Sequence, residues 1–244
     1  MRPQSRHDDP PWATPHDVDR PRLRPSRSHH GYRHLALLAR QLRAEVSIAS
    51  PSLTIDLGCG SAPYRELFDG GYVGLDLTSS HGRPHAIAWA EATPLVQSCA
   101  DLVLSTQQLE HVRDPVGVLR EAARILQPGG TLLLSTHGVW PHHPDPHDYW
   151  RWTEEGLVQT VEDAGLTVQR VHRQGELFTT AISLATYPIG GLRRRGGSLT
   201  RTVAALILAL LNSICAPLDW LLTRRGSRHY ASPSYLVVAI RPEF

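Results

Sequence analysis

The chain has 244 residues and a formal net charge of only +2, which gives no support for nucleic-acid binding through bulk charge. Its length suits one large α/β domain with additions. The cysteines Cys59, Cys99 and Cys215 lack CxxC or zinc-ligand spacing, which indicates a reducing compartment without disulfides. The N-terminus has no apolar segment of the signal-peptide type, so we expect a cytoplasmic protein.

The N-terminal part of the chain differs in composition from the rest. Residues 1–30 are rich in proline and charge and poor in large apolar side chains, which predicts a disordered arm. Residues 31–244 are expected to form the folded domain. Apolar residues recur at a helical period after Arg33, which predicts a helix over 33–49.

Strand and helix patterns alternate along the folded domain. Helices are predicted at 64–68, at 115–126 and from Thr153 to about Gly165, with Thr153 as the N-cap residue. Strands are predicted at residues 53–57, 72–77, 85–89, 101–105, 131–136, 166–171 and 235–240. This alternation predicts an α/β, doubly wound, mostly parallel seven-stranded sheet.

The ends of the first two strands carry acidic residues beside a glycine turn. Asp56 precedes Gly58 and Gly60, whose lack of a Cβ lets backbone N–H groups approach a ligand closely. The charge of Asp56 suits a cationic or amino-bearing ligand better than a phosphate. Asp76 ends the second strand, where it can accept hydrogen bonds from ribose hydroxyls. Pro63 occupies a position where a dinucleotide-binding fingerprint requires glycine or alanine, which disfavours a nicotinamide cofactor.

Four segments in this order resemble the class I S-adenosylmethionine-dependent methyltransferases of the type 11, small-molecule branch. They are Ile55-Asp56-Leu57-Gly58-Cys59-Gly60, Gly74-Leu75-Asp76, Leu109-Glu110-His111-Val112 and the run from Glu121 to Gly130. The resemblance covers about residues 53–171, and residues 235–242 fit the closing strand. It implies a Rossmann-like methyltransferase fold with S-adenosyl-L-methionine as the cofactor.

The resemblance also implies roles for individual residues. Asp56, Gly58 and Gly60 are expected to line the methionine part of the cofactor, and Asp76 to bind both ribose hydroxyls. Ser105 to Gln107 are expected beside the sulfonium. The chain departs from the family at Trp89, which stands near the position of an acid that contacts adenine; Glu91 replaces that acid, or Trp89 stacks on the adenine.

The segment after the fifth strand is the candidate acceptor lid. Residues 137–153 are rich in histidine, aromatic residues and proline, and loops at this edge of the sheet commonly bind substrates. His111, His147 and Tyr149 are the catalytic candidates, because histidine is the commonest general base. The alternatives are that His111 braces the following helix and that Asp148, Tyr149 and Arg151 pin the loop. The prolines disfavour convergent ligands, so no metal site is predicted.

An apolar insertion separates the last two strands. Residues 177–234 are far longer than a hairpin requires, and residues 202–222 are long enough to span a bilayer. Both neighbouring strands belong to one sheet, which argues against a single crossing. An interfacial or re-entrant hairpin, broken at Pro217, satisfies this constraint, with residues 192–228 as the membrane contact. The alternatives are a pocket cover and a dimer contact.

The sequence therefore predicts an S-adenosylmethionine-dependent methyltransferase acting on a small or lipid-linked acceptor, with a cell-envelope glycan or glycolipid precursor as the candidate. No nucleic-acid partner is expected. The expected location is the cytoplasm, with peripheral contact on the inner face of the membrane. The alternative is a degenerate, non-catalytic methyltransferase fold serving as a membrane-associated partner.

Overall fold

Seven strands form one sheet with helices on both faces, and the computed structural model describes residues 22–80, 82, 84–144, 146–224 and 231–243. The strands are Leu53–Leu57 (β1), Gly71–Asp76 (β2), Ala86–Ile87 (β3), Ala100–Thr106 (β4), Leu126–His137 (β5), Thr167–Arg173 (β6) and Ser234–Ile240 (β7). The helices are Tyr32–Ala49 (α1), Pro115–Ile125 (α2), Glu154–Glu162 (α3), Leu177–Arg195 (α4) and Ser198–Arg224 (α5).

The strand order places the predicted site residues at one edge of the sheet. The order is β3-β2-β1-β4-β5-β7-β6. The first five strands are parallel, and β7 runs antiparallel to both β5 and β6. The order reverses between β1 and β4, and ligands of such sheets bind outside the carboxyl ends of the strands at this switch point. The predicted doubly wound, mostly parallel seven-stranded sheet is confirmed.

Two apolar clusters cover the two faces of the sheet. Buried residues of α1, among them Leu38 and Leu42, pack on one face together with Leu133 of β5. Leu157 of α3 packs on the opposite face with Leu132. Adjacent residues of β5 therefore face opposite clusters, as the alternation of a strand requires. Burial on both faces explains why the central residues of β5, Leu132-Leu133-Leu134, are all apolar.

The start of β5 differs from the prediction. We predicted a strand over 131–136, but β5 begins at Leu126 and includes the Pro-Gly-Gly segment that ends the helical pattern. Leu126 pairs with Ala100, and the register then shifts before Leu102. Gly129 accommodates the irregularity with a φ of +77°. Gly129 also donates its N–H to the carbonyl of Arg241 in the segment after β7.

The predicted insertion, 177–234, contains α4 and α5, which pack against each other as a hairpin. The predicted break at Pro217 is wrong, because α5 continues through Pro217 to Arg224. Asp219 of α5 is the main polar contact between α4 and α5. Its carboxylate accepts backbone N–H groups of Glu176 (3.1 Å) and Phe178 (2.9 Å) and the hydroxyl of Thr179 (2.6 Å). These bonds satisfy donors at the start of α4 that have no partner within the helix.

One face of α5 is apolar and exposed. Leu199, Leu206 and Leu210 are 78%, 65% and 66% exposed. This stripe, which we call the α5 apolar face, comprises Leu199, Val203, Leu206, Ile207, Leu210, Ile214 and Leu221. Among the described residues, Ser198–Leu221 is the one helical segment long and apolar enough to cross a membrane, and only 28% of its most apolar window is buried.

The predicted N-terminal arm lies only partly within the described residues. Residues 1–21 are outside them. Residues 22–30 pack on the domain, where Leu23 is buried and its carbonyl accepts a hydrogen bond from Arg43. Asn212 of α5 donates its side-chain amide to the carbonyls of Arg27 and His29, at 2.8 and 2.9 Å. These buried amide contacts hold the end of the arm against the α4–α5 hairpin.

Candidate functional site

The glycine turn after β1 has the close backbone approach that its sequence predicts. Gly58 and Gly60 have φ values of +69° and +53°, a region that favours glycine. A Cβ at Gly58 would lie 2.3 Å from Cγ of Gln108, so no other residue fits there without a shift. The N–H of Gly58 bonds to the carbonyl of Leu75, which ties the turn to β2.

Asp76 at the end of β2 meets the glycine turn. Its Oδ2 accepts the N–H of Gly60 at 2.8 Å, and its Oδ1 accepts the N–H of Thr78 at 3.3 Å. Asp76 is only partly buried, so its carboxylate also faces outward from the sheet edge. The structure thus brings together Gly60 and Asp76, two residues predicted from separate motifs.

Asp56 lies beneath this turn and is almost completely buried. Its Oδ2 accepts a hydrogen bond from the hydroxyl of Tyr72 at 2.5 Å, whereas Oδ1 has no hydrogen-bond partner among the described residues. Burial raises the pKa of Asp56 to about 7, and the bond from Tyr72 only partly offsets this effect. The sequence analysis did not identify Tyr72, although its position on the strand beside Asp56 was a usable signal.

The two candidates at the end of β4, Ser105 within the strand and Gln107 just after it, form different hydrogen bonds. Ser105 is buried, and its hydroxyl donates to Oε1 of Gln108 at 3.1 Å. Gln107 adopts a φ of +53° and donates its side-chain amide to the hydroxyl of Ser135 at 2.8 Å. The amide of Gln107 is therefore directed toward β5.

The segment expected near adenine contains an exposed tryptophan. Trp89 is 65% exposed and forms a tight turn in which its carbonyl accepts the N–H of Ala92 at 3.1 Å. Glu91 is partly buried in the same turn. Neither side chain has a hydrogen bond or ring contact among the described residues that would fix it as an adenine contact.

A cluster of imidazoles surrounds a buried glutamate beyond the ends of β4 and β5. Glu110 is fully buried, and its Oε2 accepts the hydroxyl of Thr136 at 2.9 Å. Its Oε1 has no hydrogen bond and lies 3.4 Å from Nε2 of His137 and 4.0 Å from Nε2 of His111. The ring of His143 lies 4.9 Å from that of His137, centroid to centroid. The sequence analysis assigned no role to Glu110.

Burial determines the protonation of this cluster. It lowers the pKa of His143 to about 4 and that of His137 well below the usual value, and nearby cationic groups add to both effects. Burial likewise raises the pKa of Glu110. Both imidazoles are therefore neutral near pH 7, which leaves one ring nitrogen of each with a free lone pair.

An ion pair holds the lid loop in place. Arg151 donates to both carboxylate oxygens of Asp148, at 2.6 and 2.7 Å, and also to the carbonyls of Trp140 and Pro141. Burial alone would raise the pKa of Asp148, but hydrogen bonds from Arg151 and from the N–H of His143 outweigh it and hold that pKa at about 2. These contacts of Asp148 and Arg151 are the ones expected if the two residues pin the loop, which is the alternative to a catalytic role.

The three catalytic candidates lie in and beside this loop. His111 donates from Nδ1 to the carbonyl of His147 at 2.5 Å. Tyr149 is 40% exposed, its N–H bonds to the carbonyl of Glu110, and its hydroxyl accepts from Arg113 at 3.1 Å. The rings of His147 and Tyr149 are 5.4 Å apart. A surface depression beside them is lined by Trp140, His142, Asp148, Tyr149, Trp150 and Arg151.

Comparison with known proteins finds that residues 55–134 of the chain match the family model of a methyltransferase domain. Over 99 residues the chain is 32% identical to the ubiquinone biosynthesis O-methyltransferase of Aliivibrio fischeri strain MJ11, which covers 34% of this chain and 42% of that relative. The chain thus spans less than half of the length of the curated relatives that it matches.

Solved structures extend the likeness over most of the chain. An S-adenosylmethionine-dependent methyltransferase from Mesorhizobium loti superposes with a TM-score of 0.53 and 18% identity, covering 84% of this chain and 98% of that one. Phosphoethanolamine N-methyltransferase 2 of Haemonchus contortus, in complex with S-adenosyl-L-methionine, superposes with a TM-score of 0.52 and 13% identity. The superposition covers 83% of this chain and 52% of that one. Because these sequence identities are below 20%, the likeness establishes the fold and no more. Residues 55–134 thus match the methyltransferase domain family, and the seven-stranded sheet shares its fold with these solved methyltransferases.

Proposed function

We propose that the protein transfers a methyl group from S-adenosylmethionine to a small or lipid-linked acceptor. The observation that carries this proposal is the meeting of the glycine turn with Asp76 at the switch point of the sheet. S-adenosylmethionine is the cofactor. Asp76 binds its ribose hydroxyls, and Asp56, Gly58 and Gly60 surround its methionine part. Ser105 and Gln107 lie on the sulfonium side.

Methyl transfer from a sulfonium requires mainly positioning. Holding the acceptor atom in line with the methyl group can supply up to about 7–11 kcal/mol of the barrier reduction. A base is needed only where the acceptor must lose a proton. His111, His147 and Tyr149 are the proposed residues for this step, because they lie together at the carboxyl edge of the sheet.

A lipid-linked acceptor is favoured by the exposed face of α5. The strands that flank the hairpin both belong to the one sheet, so α5 does not cross a bilayer alone. The α5 apolar face lies instead in the interfacial region of the cytoplasmic leaflet, with exposed Arg201 and Arg224 toward anionic head groups. The acceptor is then a cell-envelope glycan or glycolipid precursor held at that surface.

The second candidate is a non-catalytic methyltransferase fold that acts as a membrane-associated partner. Trp89 favours this candidate, because an exposed tryptophan stands near the position where the family usually has the acid that contacts adenine. Calorimetry with S-adenosylmethionine separates the two, since the non-catalytic protein is expected to bind no cofactor.

Asp76→Ala is expected to weaken S-adenosylmethionine binding at least tenfold. Each lost hydrogen bond to a charged acceptor is worth about 1.5–3 kcal/mol, and 1.4 kcal/mol is about tenfold in affinity. Asp69→Ala is the matched control, because Asp69 is an exposed acid before the opposite end of β2. Equal cofactor affinity of the two variants in calorimetry would contradict the assignment.

The affinity for S-adenosylmethionine is expected to rise about tenfold from pH 5.5 to pH 7. The pKa of Asp56 is about 7, so the carboxyl is mostly protonated at pH 5.5, and the cationic cofactor favours its ionised form. Binding below pH 7 should therefore release a proton, measurable by calorimetry in buffers of different ionisation enthalpy. Asp56→Asn is expected to remove this pH dependence. A wild-type affinity that is constant over this range would refute the role of Asp56.

Tyr149→Phe and His147→Ala are expected to reduce turnover while leaving cofactor affinity nearly intact. Both residues lie in the lid loop, and neither is among the proposed cofactor contacts. Turnover is measured as S-adenosylhomocysteine formed with a polar-lipid extract as acceptor. A parallel loss of cofactor affinity, together with a lower melting temperature, would show that these side chains only hold the loop in place.

The protein is expected to sediment with anionic vesicles at low salt, because basic side chains contribute about 1 kcal/mol each near such a surface. A double substitution, Leu206→Glu with Leu210→Glu, should abolish sedimentation without unfolding the protein, since both side chains are exposed. The matched control is Ile48→Glu with Val96→Glu, which changes side chains that are 71% and 73% exposed elsewhere. If both double variants sediment alike, α5 is not the membrane contact.

A further inference from the structure

Glu110, His137 and His143 are brought together from three separate places in the sequence. Glu110 follows β4, His137 ends β5 and His143 lies in the lid loop. One ligand atom of each residue lies within 4.8 Å of those of the other two. The sequence analysis predicted no metal site because the prolines of the lid disfavour convergent ligands. Here the Asp148–Arg151 pair folds the lid back so that His143 faces His137.

Hydrogen bonds orient His143 and Glu110 as metal ligands, whereas Nδ1 of His137 is buried without a hydrogen-bond partner among the described residues. Nδ1 of His143 lies 3.0 Å from the carbonyl of Pro141 and 3.3 Å from Nη2 of Arg151; donation to the nearer carbonyl leaves the free lone pair on Nε2. A backbone carbonyl on the second ring nitrogen is typical of metal-binding histidines. Glu110 is bound on one oxygen only, by Thr136, and its other oxygen is buried without a hydrogen bond. A buried carboxylate oxygen without a partner is costly unless a cation neutralises it.

The donor set and the spacing fit zinc. Two nitrogen donors and one carboxylate oxygen are ligands that Zn²⁺ accepts, and three protein ligands leave a coordination position open. With bonds of 2.0–2.1 Å, two ligands of a tetrahedral zinc site lie about 3.3 Å apart. Oε1 of Glu110 and Nε2 of His137 are already 3.4 Å apart. The third ligand atom is within 4.8 Å of both, so His143 has to move inward by at most about 1.5 Å.

We propose that Glu110, His137 and His143 bind one divalent transition-metal ion, with Zn²⁺ as the best match. The ring of His111, which lies 5.1 Å from that of His143, borders the site. The side chains of His143 and His111 are 19% and 16% exposed, whereas those of Glu110 and His137 are 0% and 5% exposed. The open coordination position therefore faces the lid side of the cluster.

The metal also gives the lid a chemical role, an extension that rests on the proposed function. An acceptor hydroxyl in the open position would lose its proton more readily, because zinc lowers the pKa of bound oxygen ligands. One of the proposed bases, His111 or His147, takes that proton. The acceptor oxygen then forms its bond to the methyl carbon as the carbon–sulfur bond breaks, and neutral S-adenosylhomocysteine leaves.

The test is metal binding by the full-length protein after chelator treatment. Titration calorimetry with Zn²⁺ should show one ion per chain, and Co²⁺ should give the visible absorption of a low-coordinate site. Glu110→Gln and His143→Ala should each weaken Zn²⁺ binding at least tenfold. His142→Ala is the matched control, because it removes the neighbouring imidazole of the same loop and should retain wild-type affinity.

Two outcomes would overturn the proposal: a wild-type protein that takes up no stoichiometric Zn²⁺ or Co²⁺, or variants that all bind alike. If Glu110→Gln does not fold, His143→Ala decides the matter, since His143 is a partly exposed loop residue. Cofactor binding is measured on the same His143→Ala protein. If the His143→Ala variant binds S-adenosylmethionine but no longer binds Zn²⁺, the metal site is supported. If the wild-type protein binds Zn²⁺ but no S-adenosylmethionine, only the proposed function is refuted.

Discussion

The pairing of β5 with β4 on one side and β7 on the other is the constraint on which the site depends. Seven consecutive residues of β5, Thr131 to His137, pair with β7, and most of them pair with β4 as well. The pairing with β7 continues through Thr136 and His137, which places both residues where they meet Glu110. It also fixes Ser135, whose hydroxyl binds the amide of Gln107. Side chains attached to so rigid a strand need little further ordering when a ligand binds.

Two buried carboxyl groups, Asp56 and Glu110, dominate the electrostatics of this edge. Each has one hydrogen-bonded oxygen and one oxygen without a partner among the described residues. A buried charge is stable only when it is paired or neutralised, so each site favours a cation or a proton. In the binding modes that we propose, the cofactor's positive charges would meet this requirement at Asp56, and a metal ion would meet it at Glu110. One physical cause thus accounts for both proposed binding sites.

The sheet and the glycine turn could be predicted from the sequence because the patterns that indicate them are local. Alternating strands and helices, and the glycine turn with its acidic neighbours, require only a few adjacent residues to be recognised. The cluster of Glu110, His137 and His143 depends on distant contacts. Its residues approach one another only after β4 and β5 pair and Arg151 binds Asp148. The early start of β5 was missed for the same reason, since Leu126 is a strand residue only because it pairs with Ala100.

The α4–α5 hairpin links the proposed membrane contact to the lid. Tyr187 of α4 lies edge-on to Trp140 of the lid, 6.3 Å between ring centroids, and Trp140 stacks on His137 at 5.0 Å. The lid therefore lies beside the hairpin that carries the α5 apolar face. A lipid-linked acceptor would then need only a short polar head group to reach the methyl group while its lipid stays in the bilayer. Restricting the acceptor to that surface raises its effective concentration at the site without a deep pocket.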